Sequence, residues 1–181
     1  DPFGTIGVHS QALDMWGDEV EVMYAMHHWP VWGQDKVNEH IALQRDMYRF
    51  INDETLRMAM QGYTTLKIAE QLTGPDAIAK NFSNRGYYGS ISHNVKAIYV
   101  MYLGWFIGNP ATLHELPPAD AAERYVEMMG GVDALLDKAR DYFEKGEYRW
   151  VAEVVNHAVF ADPDNQEARN LQADALEQMG Y

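Results

Sequence analysis

The sequence predicts a mainly α-helical protein in which one β-strand precedes all but the first, short helix. The strand prediction rests on residues 19–24, where valine and tyrosine alternate with glutamate and methionine. This is the period-two pattern of a half-buried strand, which we extend to residue 26. Pro30 and Gly33 are predicted to end the strand in a loop. After Gly33, apolar residues recur at helical spacing between charged ones, which predicts helices for the rest of the chain.

Glycine, proline and capping residues set the boundaries of the predicted helices. A short helix covers about residues 9–16. A long helix covers about 34–61, with Asn52-Asp53 as a candidate kink and Gly62 as its end. The later helices are predicted at about residues 64–72, 75–82, 90–106, 117–129 and 132–144, followed by one that carries Ala152 and Ala158 and one that carries Ala168 to Leu176.

The predicted strand has no partner strand in this chain. A lone strand exposes unpaired backbone groups on both edges and is not stable in water. We therefore expect it to join the sheet of another chain or to belong to a larger domain. The opening Asp1-Pro2, without an initiator methionine, also suggests a processed product or a piece of a longer protein.

Composition excludes several functional classes. The 181 residues are 47% hydrophobic, which suits one domain with a substantial core. A net charge of −13 opposes binding to nucleic acid or to an anionic membrane surface. No apolar run reaches the ~18–20 residues that cross a bilayer. Cysteine is absent, so any metal site must use histidine and carboxylate ligands.

His27 and His28 have the character of one corner of a metal site. They follow the predicted strand and open into a loop, and a rigid element that ends at an open site suits a ligand. A zinc site needs three or four protein ligands. The remaining histidines are scattered singly, so the local sequence does not complete the site. The alternative interpretation is a pair of histidines that pack or hydrogen-bond beside the neighbouring aromatic residues.

The loop from Arg85 to Ser90 is a candidate anion site. Its sequence, Arg-Gly-Tyr-Tyr-Gly-Ser, combines two glycines that permit a tight turn with an arginine and two tyrosines that donate hydrogen bonds. Arginine and tyrosine together suit an oxyanion such as sulfate, phosphate or carboxylate. In the alternative interpretation the tyrosine rings pack on the next helix. His93 and Asn94 follow and either line the same pocket or cap that helix.

Residues 132–180 resemble a tetratricopeptide unit. Small residues mark the packing faces of two helices, and Asp162-Pro163-Asp164-Asn165 forms the turn between them. Only one to one and a half units fit, and ~3 repeats are usual for an independent array. We therefore expect a helical addition to a domain. A non-catalytic helical adaptor or dimerisation module of this type is the alternative function.

Several passages together resemble the alkyl sulfatase family, the dodecyl-sulfate hydrolases with a metallo-β-lactamase-type catalytic domain. The resemblance extends from about residue 19 to 181. It is carried by residues 26–33 (Met-His-His-Trp-Pro-Val-Trp-Gly), 85–97 (Arg-Gly-Tyr-Tyr-Gly-Ser-Ile-Ser-His-Asn-Val-Lys-Ala), 102–105 (Tyr-Leu-Gly-Trp), 108–110 (Gly-Asn-Pro), 146–153 and 162–165.

The resemblance implies a fold, a reaction and partners. Residues 1–33 would be the remnant of the αββα catalytic domain, and 34–181 an all-helical dimerisation domain. The intact enzyme would use two zinc ions to hydrolyse linear alkyl sulfate esters to alcohol and sulfate. It would be a homodimer in which this segment meets the remainder of the catalytic domain. A periplasmic or secreted bacterial location is also implied.

The resemblance also implies roles for individual residues. His27, or alternatively His28, would be the last zinc ligand. Tyr99 is the first candidate and Tyr87 the second for a tyrosine that contacts the sulfate group. Because the other zinc ligands of the family are absent, the chain alone is expected to be inactive.

Overall fold

The protein is mainly helical, as predicted, with one small two-stranded sheet. The computed structural model describes residues 2–87 and 89–181. Its helices and strands are α1 Pro2–Trp16, β1 Val22–Ala25, β2 His28–Trp32, α2 Gln34–Met60, α3 Thr65–Gln71, α4 Asp76–Ala79, α5 Ile91–Leu103, α6 Pro118–Met128, α7 Val132–Glu144, α8 Tyr148–Ala161 and α9 Gln166–Gln178, with short 3-10 helices at Phe82–Asn84 and Pro110–Thr112. None of the helices described combines the length and apolar composition that a membrane span needs.

The chain divides into two compact units, Asp1–Thr112 and Leu113–Tyr181. The first unit therefore contains α1, the sheet and α2 to α5, and the second contains α6 to α9. The predicted all-helical region, residues 34–181, is therefore divided between the two units. The predicted domain boundary at residue 33 stays a prediction.

The first unit is built on α2, whose 27 residues extend about 40 Å at 1.5 Å per residue. Helices α1, α3, α4 and α5 and the sheet all pack against it. α2 continues through the candidate kink at Asn52-Asp53. Asn52 is fully buried, and its Oδ1 accepts a hydrogen bond from the Tyr102 hydroxyl at 3.2 Å. The core of this unit consists of Met47, Ile51, Met58, Ile68, Ala69, Leu72, Val95, Ile98 and Tyr99.

The prediction of a single unpaired strand was wrong, because β1 pairs antiparallel with β2 in a hairpin. Val22 lies opposite Trp32, Met23 opposite Val31 and Ala25 opposite His28, with a register shift between Met23 and Ala25. Pro30 does not end the strand but lies within β2. Proline has no N–H to donate, and in a two-stranded sheet each strand has an outer edge where no donor is needed. The strand is also not half-buried, since Val22 is 48% and Tyr24 81% exposed.

The second unit is a bundle in which α8 packs against α6, α7 and α9. Its helices begin and end close to the predicted positions. Ala158, Ala168 and Ala175 are fully buried, which confirms that small residues lie on the packing faces. Its core consists of Val126, Leu135, Leu136, Ala139, Val151, Val154, Val155, Ala158, Ala168 and Ala175. Its assignment to the tetratricopeptide class stays a prediction.

Candidate functional site

An open cavity of about 660 Å³ in the first unit brings together residues that the sequence singled out separately. His27 reaches it from the two-residue turn of the hairpin, Arg85 and Tyr87 from the glycine-rich loop, and Asn94 from α5. The lining comprises these residues with Gln44, Met47, Tyr48, Ile51, Ala79, Ser83, Asn84, Gly86, Gly89, Ser90 and Ile91. The candidate anion loop and the candidate metal ligand thus face one space.

Two side-chain amides fix the start of the loop to α2. Asn84 Nδ2 donates to the carbonyl oxygens of Leu43 at 3.2 Å and Ile78 at 3.1 Å. Gln44 Nε2 donates to Asn84 Oδ1 at 2.5 Å and to the Ser83 carbonyl oxygen at 3.1 Å. We call Gln44 and Asn84 the amide clamp. Because Arg85 follows Asn84 directly, the clamp determines where the guanidinium enters the cavity.

The loop then turns too tightly for any side chain at position 86. A Cβ atom on Gly86 would lie 2.8 Å from the carbonyl oxygen of Gly89, a distance that real Cβ atoms do not show. The Tyr87 backbone N–H donates to the Arg85 carbonyl oxygen at 2.9 Å across the same turn. Ser90 ends the loop as the N-cap of α5, and its hydroxyl accepts the backbone N–H of His93 at 3.2 Å.

The charge of the cavity suits an anion. Arg85 is its one formally charged side chain apart from the titratable His27, and no Asp or Glu occurs among the described residues of the lining. Within residues 2–87 and 89–181, the Arg85 guanidinium forms no ion pair. In a chain of net charge −13, a surface with an arginine and no described carboxylate is a place where a negative ligand meets less local repulsion.

A smaller aromatic pocket adjoins the cavity at the hairpin. Its volume is about 380 Å³, and His27, Trp29, Phe82 and Tyr87 line it. The rings of Phe82 and Tyr87 lie 5.1 Å apart between centroids. His27 and Tyr87 line both spaces, so the aromatic pocket and the cavity adjoin at these two residues.

The predicted role of His27 as a metal ligand stays a prediction. No cluster of three or more His, Cys, Asp or Glu side chains that could hold a metal ion occurs among the residues the structure describes. Zinc requires three or four protein ligands, so these residues do not fit a complete zinc site. The side chain of His28, the alternative ligand, lies outside what the structure describes, as does all of Tyr88.

The two tyrosines predicted to contact sulfate occupy different environments. Tyr87 is 62% exposed and lines the cavity. Tyr99 is 8% exposed and packs in the core of the unit, and it does not contribute to the cavity lining. Gln44, Ser83 and Asn84 were not predicted. A motif search could have found Asn84, which adjoins the loop, but no local signal identifies Gln44.

Residues 64–181 match the family described as alkyl sulfatase dimerisation, and the chain belongs to this family. The predicted resemblance is thereby confirmed.

Among individual proteins, the chain is 68% identical over its full length to a linear primary-alkylsulfatase of a Pseudomonas species, of which it covers 27%. It is 56% identical over 165 residues to an alkyl/aryl-sulfatase of Saccharomyces cerevisiae, covering 91% of this chain and 26% of that protein. It is 47% identical over 176 residues to an (R)-specific secondary-alkylsulfatase of Pseudomonas, covering 97% and 26%. The chain therefore spans about a quarter of the length of these relatives.

Solved structures agree on the fold. A double mutant of the sec-alkylsulfatase PisA1 superposes with a TM-score of 0.96 at 46% identity, covering all of this chain and 29% of that one. The stereoselective inverting sec-alkylsulfatase Pisa1 from Pseudomonas gives a TM-score of 0.93 at 46% identity, covering 97% and 28%.

Proposed function

We propose that this chain forms part of an alkyl sulfatase, which hydrolyses linear alkyl sulfate esters to alcohol and sulfate, and that it binds the sulfate group. The observation that carries the proposal is the cavity in which Arg85, Tyr87 and Asn94 lie together without a carboxylate in the described lining. The similarity to alkylsulfatases over the whole chain supports the same substrate class.

Each polar side chain of the cavity has a role suited to a sulfate monoester. The guanidinium of Arg85 donates charge-assisted hydrogen bonds to the sulfate oxygens, and its planar fork matches two of them at once. The Tyr87 hydroxyl and the Asn94 amide donate further hydrogen bonds. The amide clamp and Gly86 hold the loop so that these donors are oriented before the ester binds, which lowers the entropic cost of binding.

His27 is proposed as one ligand of a zinc centre of two ions, with the other ligands supplied by residues outside these 181. It lies in the turn between two paired strands, so the strand pairing fixes the backbone from which the ring extends. The exposed aromatic side chains of the hairpin, Tyr24, Trp29 and Trp32, are proposed to contact the remainder of the catalytic domain.

We also propose that the helices mediate a homodimer, which the family description supports, and that the enzyme is periplasmic or secreted. Analytical ultracentrifugation of the chain at micromolar concentration should show a dimer. A monomer throughout that range contradicts this part of the proposal.

Arg85→Ala tests the sulfate site in the enzyme that contains this segment. A charge-assisted hydrogen bond contributes about 1.5–3 kcal/mol, so the loss of even one should lower kcat/KM for dodecyl sulfate by about 10- to 150-fold. The matched control is Arg49→Ala, because Arg49 is an exposed arginine of the same unit that pairs with Asp53. It should change kcat/KM less than twofold.

The same pair of variants separates the proposal from its alternative. If Arg85→Ala and Arg49→Ala behave alike, or if the intact enzyme does not hydrolyse alkyl sulfates, the sulfate site is refuted. A non-catalytic helical adaptor would then be the better description of the chain.

A further inference from the structure

A second, apolar groove continues from the sulfate cavity along α2 and α5. It has a volume of about 220 Å³, and it is lined by Thr5, Tyr48, Ile51, Asn94, Ala97, Ile98 and Met101. We call it the α2–α5 groove. Tyr48, Ile51 and Asn94 line both the groove and the cavity, so the two spaces adjoin at these residues.

Helical geometry explains why the groove is continuous. Asn94, Ala97, Ile98 and Met101 follow the spacing i, i+3, i+4 and i+7, which places them on one face of α5. The distance from Asn94 to Met101 along the helix is about 10 Å at 1.5 Å per residue.

The chemistry changes from polar to apolar along this surface. The cavity end presents the donors Arg85, Tyr87 and Asn94. Beyond Asn94 the α5 face presents Ala97, Ile98 and Met101, and no charged side chain occurs in the described lining of the groove. A ligand that fits both spaces carries an anionic head and an apolar tail of narrow cross-section.

We propose that the α2–α5 groove binds the alkyl chain of an alkyl sulfate whose sulfate group is held at Arg85, and that it determines chain-length preference. This inference rests on the proposed function of the cavity. The aromatic pocket at Phe82 is the competing path, but it includes His27, the proposed zinc ligand, and so lies at the reacting end of the ester. The groove leads away from that end.

Ala97→Phe tests the groove by filling it. Each methylene that leaves an apolar surface changes affinity by about fourfold. In the enzyme that contains this segment, KM for dodecyl sulfate should rise at least tenfold. Across a series of alkyl sulfates of increasing chain length, the gain in kcat/KM for each added methylene should become smaller than in the unaltered enzyme. Competitive inhibition by inorganic sulfate, which has no chain, should stay unchanged.

The matched control is Val100→Phe, since Val100 lies exposed on α5 outside the groove lining. It should leave the chain-length dependence unaltered. If Ala97→Phe does not fold, Met101→Glu provides the second variant. Met101 is about half exposed, and a carboxylate there should weaken binding of long chains while inorganic sulfate still binds.

Three outcomes would overturn the groove. In the first, Phe82→Ala changes the dependence of kcat/KM on alkyl chain length and the groove variants do not, which assigns the alkyl chain to the aromatic pocket. The groove variants could weaken inorganic sulfate and dodecyl sulfate equally, or could have no effect. A different result would refute the proposed function itself: the unaltered enzyme would neither hydrolyse dodecyl sulfate nor be inhibited by inorganic sulfate.

Discussion

Asn84→Ala should loosen the loop that carries Arg85 and destabilise the first unit. The substitution removes three hydrogen bonds, two donated to the Leu43 and Ile78 carbonyl oxygens and one accepted from Gln44. At about 1 kcal/mol net for each bond, the free energy of unfolding should fall by about 2–3 kcal/mol. Because a chain of this size loses roughly 2–4 °C per kcal/mol, Tm should fall by about 4–12 °C.

Tryptophan fluorescence during thermal or urea unfolding measures this change, since four of the five tryptophans lie in the first unit. Gln44→Ala is the matched variant, because it removes two bonds to the same segment. In a double-mutant cycle the two substitutions should show a coupling energy of about 0.5–3 kcal/mol, as residues in one network do. Additive effects, or a loss below about 0.5 kcal/mol for Asn84→Ala, would refute the clamp.

Three further predictions test the loop, the second core and the effect of pH. Gly86→Ala should lower the free energy of unfolding by about 1–3 kcal/mol and weaken inhibition by inorganic sulfate, because its Cβ meets the Gly89 carbonyl oxygen. Normal inhibition by sulfate would show that the tight turn is not required. Leu136→Ala, at a side chain only 1% exposed, should lower the free energy of urea unfolding of the second unit by about 2–5 kcal/mol, and a change under 1 kcal/mol would contradict the assigned core. The hydrogen bond from Arg57 lowers the pKa of the Glu54 carboxyl below its ordinary value of 4.5. The ionised carboxylate therefore stabilises the folded protein at pH values above 4.5, and this stabilisation is lost as pH falls through the lowered pKa. The stability difference between the protein and Glu54→Gln should therefore disappear in acid, and a difference that grows in acid would have the wrong sign.

The helices were predictable because their boundaries are local. Val132 to Glu144 forms α7 as predicted, since Gly130 and Gly131 break the chain before it and adopt positive φ angles that favour glycine. The hairpin was not predictable by the same reasoning. A rule that proline ends strands holds for the interior of a sheet, and only the pairing of β1 with β2 shows that Pro30 lies in an edge strand.

The cavity was predictable where its chemistry is concentrated in a short segment. Arg85 and Tyr87 lie in one glycine-rich loop, so their residue types and spacing indicate an anion site before any fold is known. Gln44 is forty residues from its partner Asn84, and an amide in the middle of an amphipathic helix has no distinguishing local feature. Long-range hydrogen bonds of this kind appear only when the packing of the helices is known.

Helical geometry gives the reason that Tyr99 and Asn94 lie in different environments. They are five residues apart on α5, and at about 100° per residue their side chains point about 140° apart around the helix. Asn94 faces the cavity, so Tyr99 points elsewhere, and it belongs to the core cluster that also contains Ile68. Its position therefore gives the predicted sulfate contact no support, whereas Tyr87 reaches the cavity from a loop that no helical period constrains. The same periodicity places Ala97 and Met101 within about 60° of Asn94, which is why one face of α5 can hold a polar head at its start and an apolar chain along the two turns that follow.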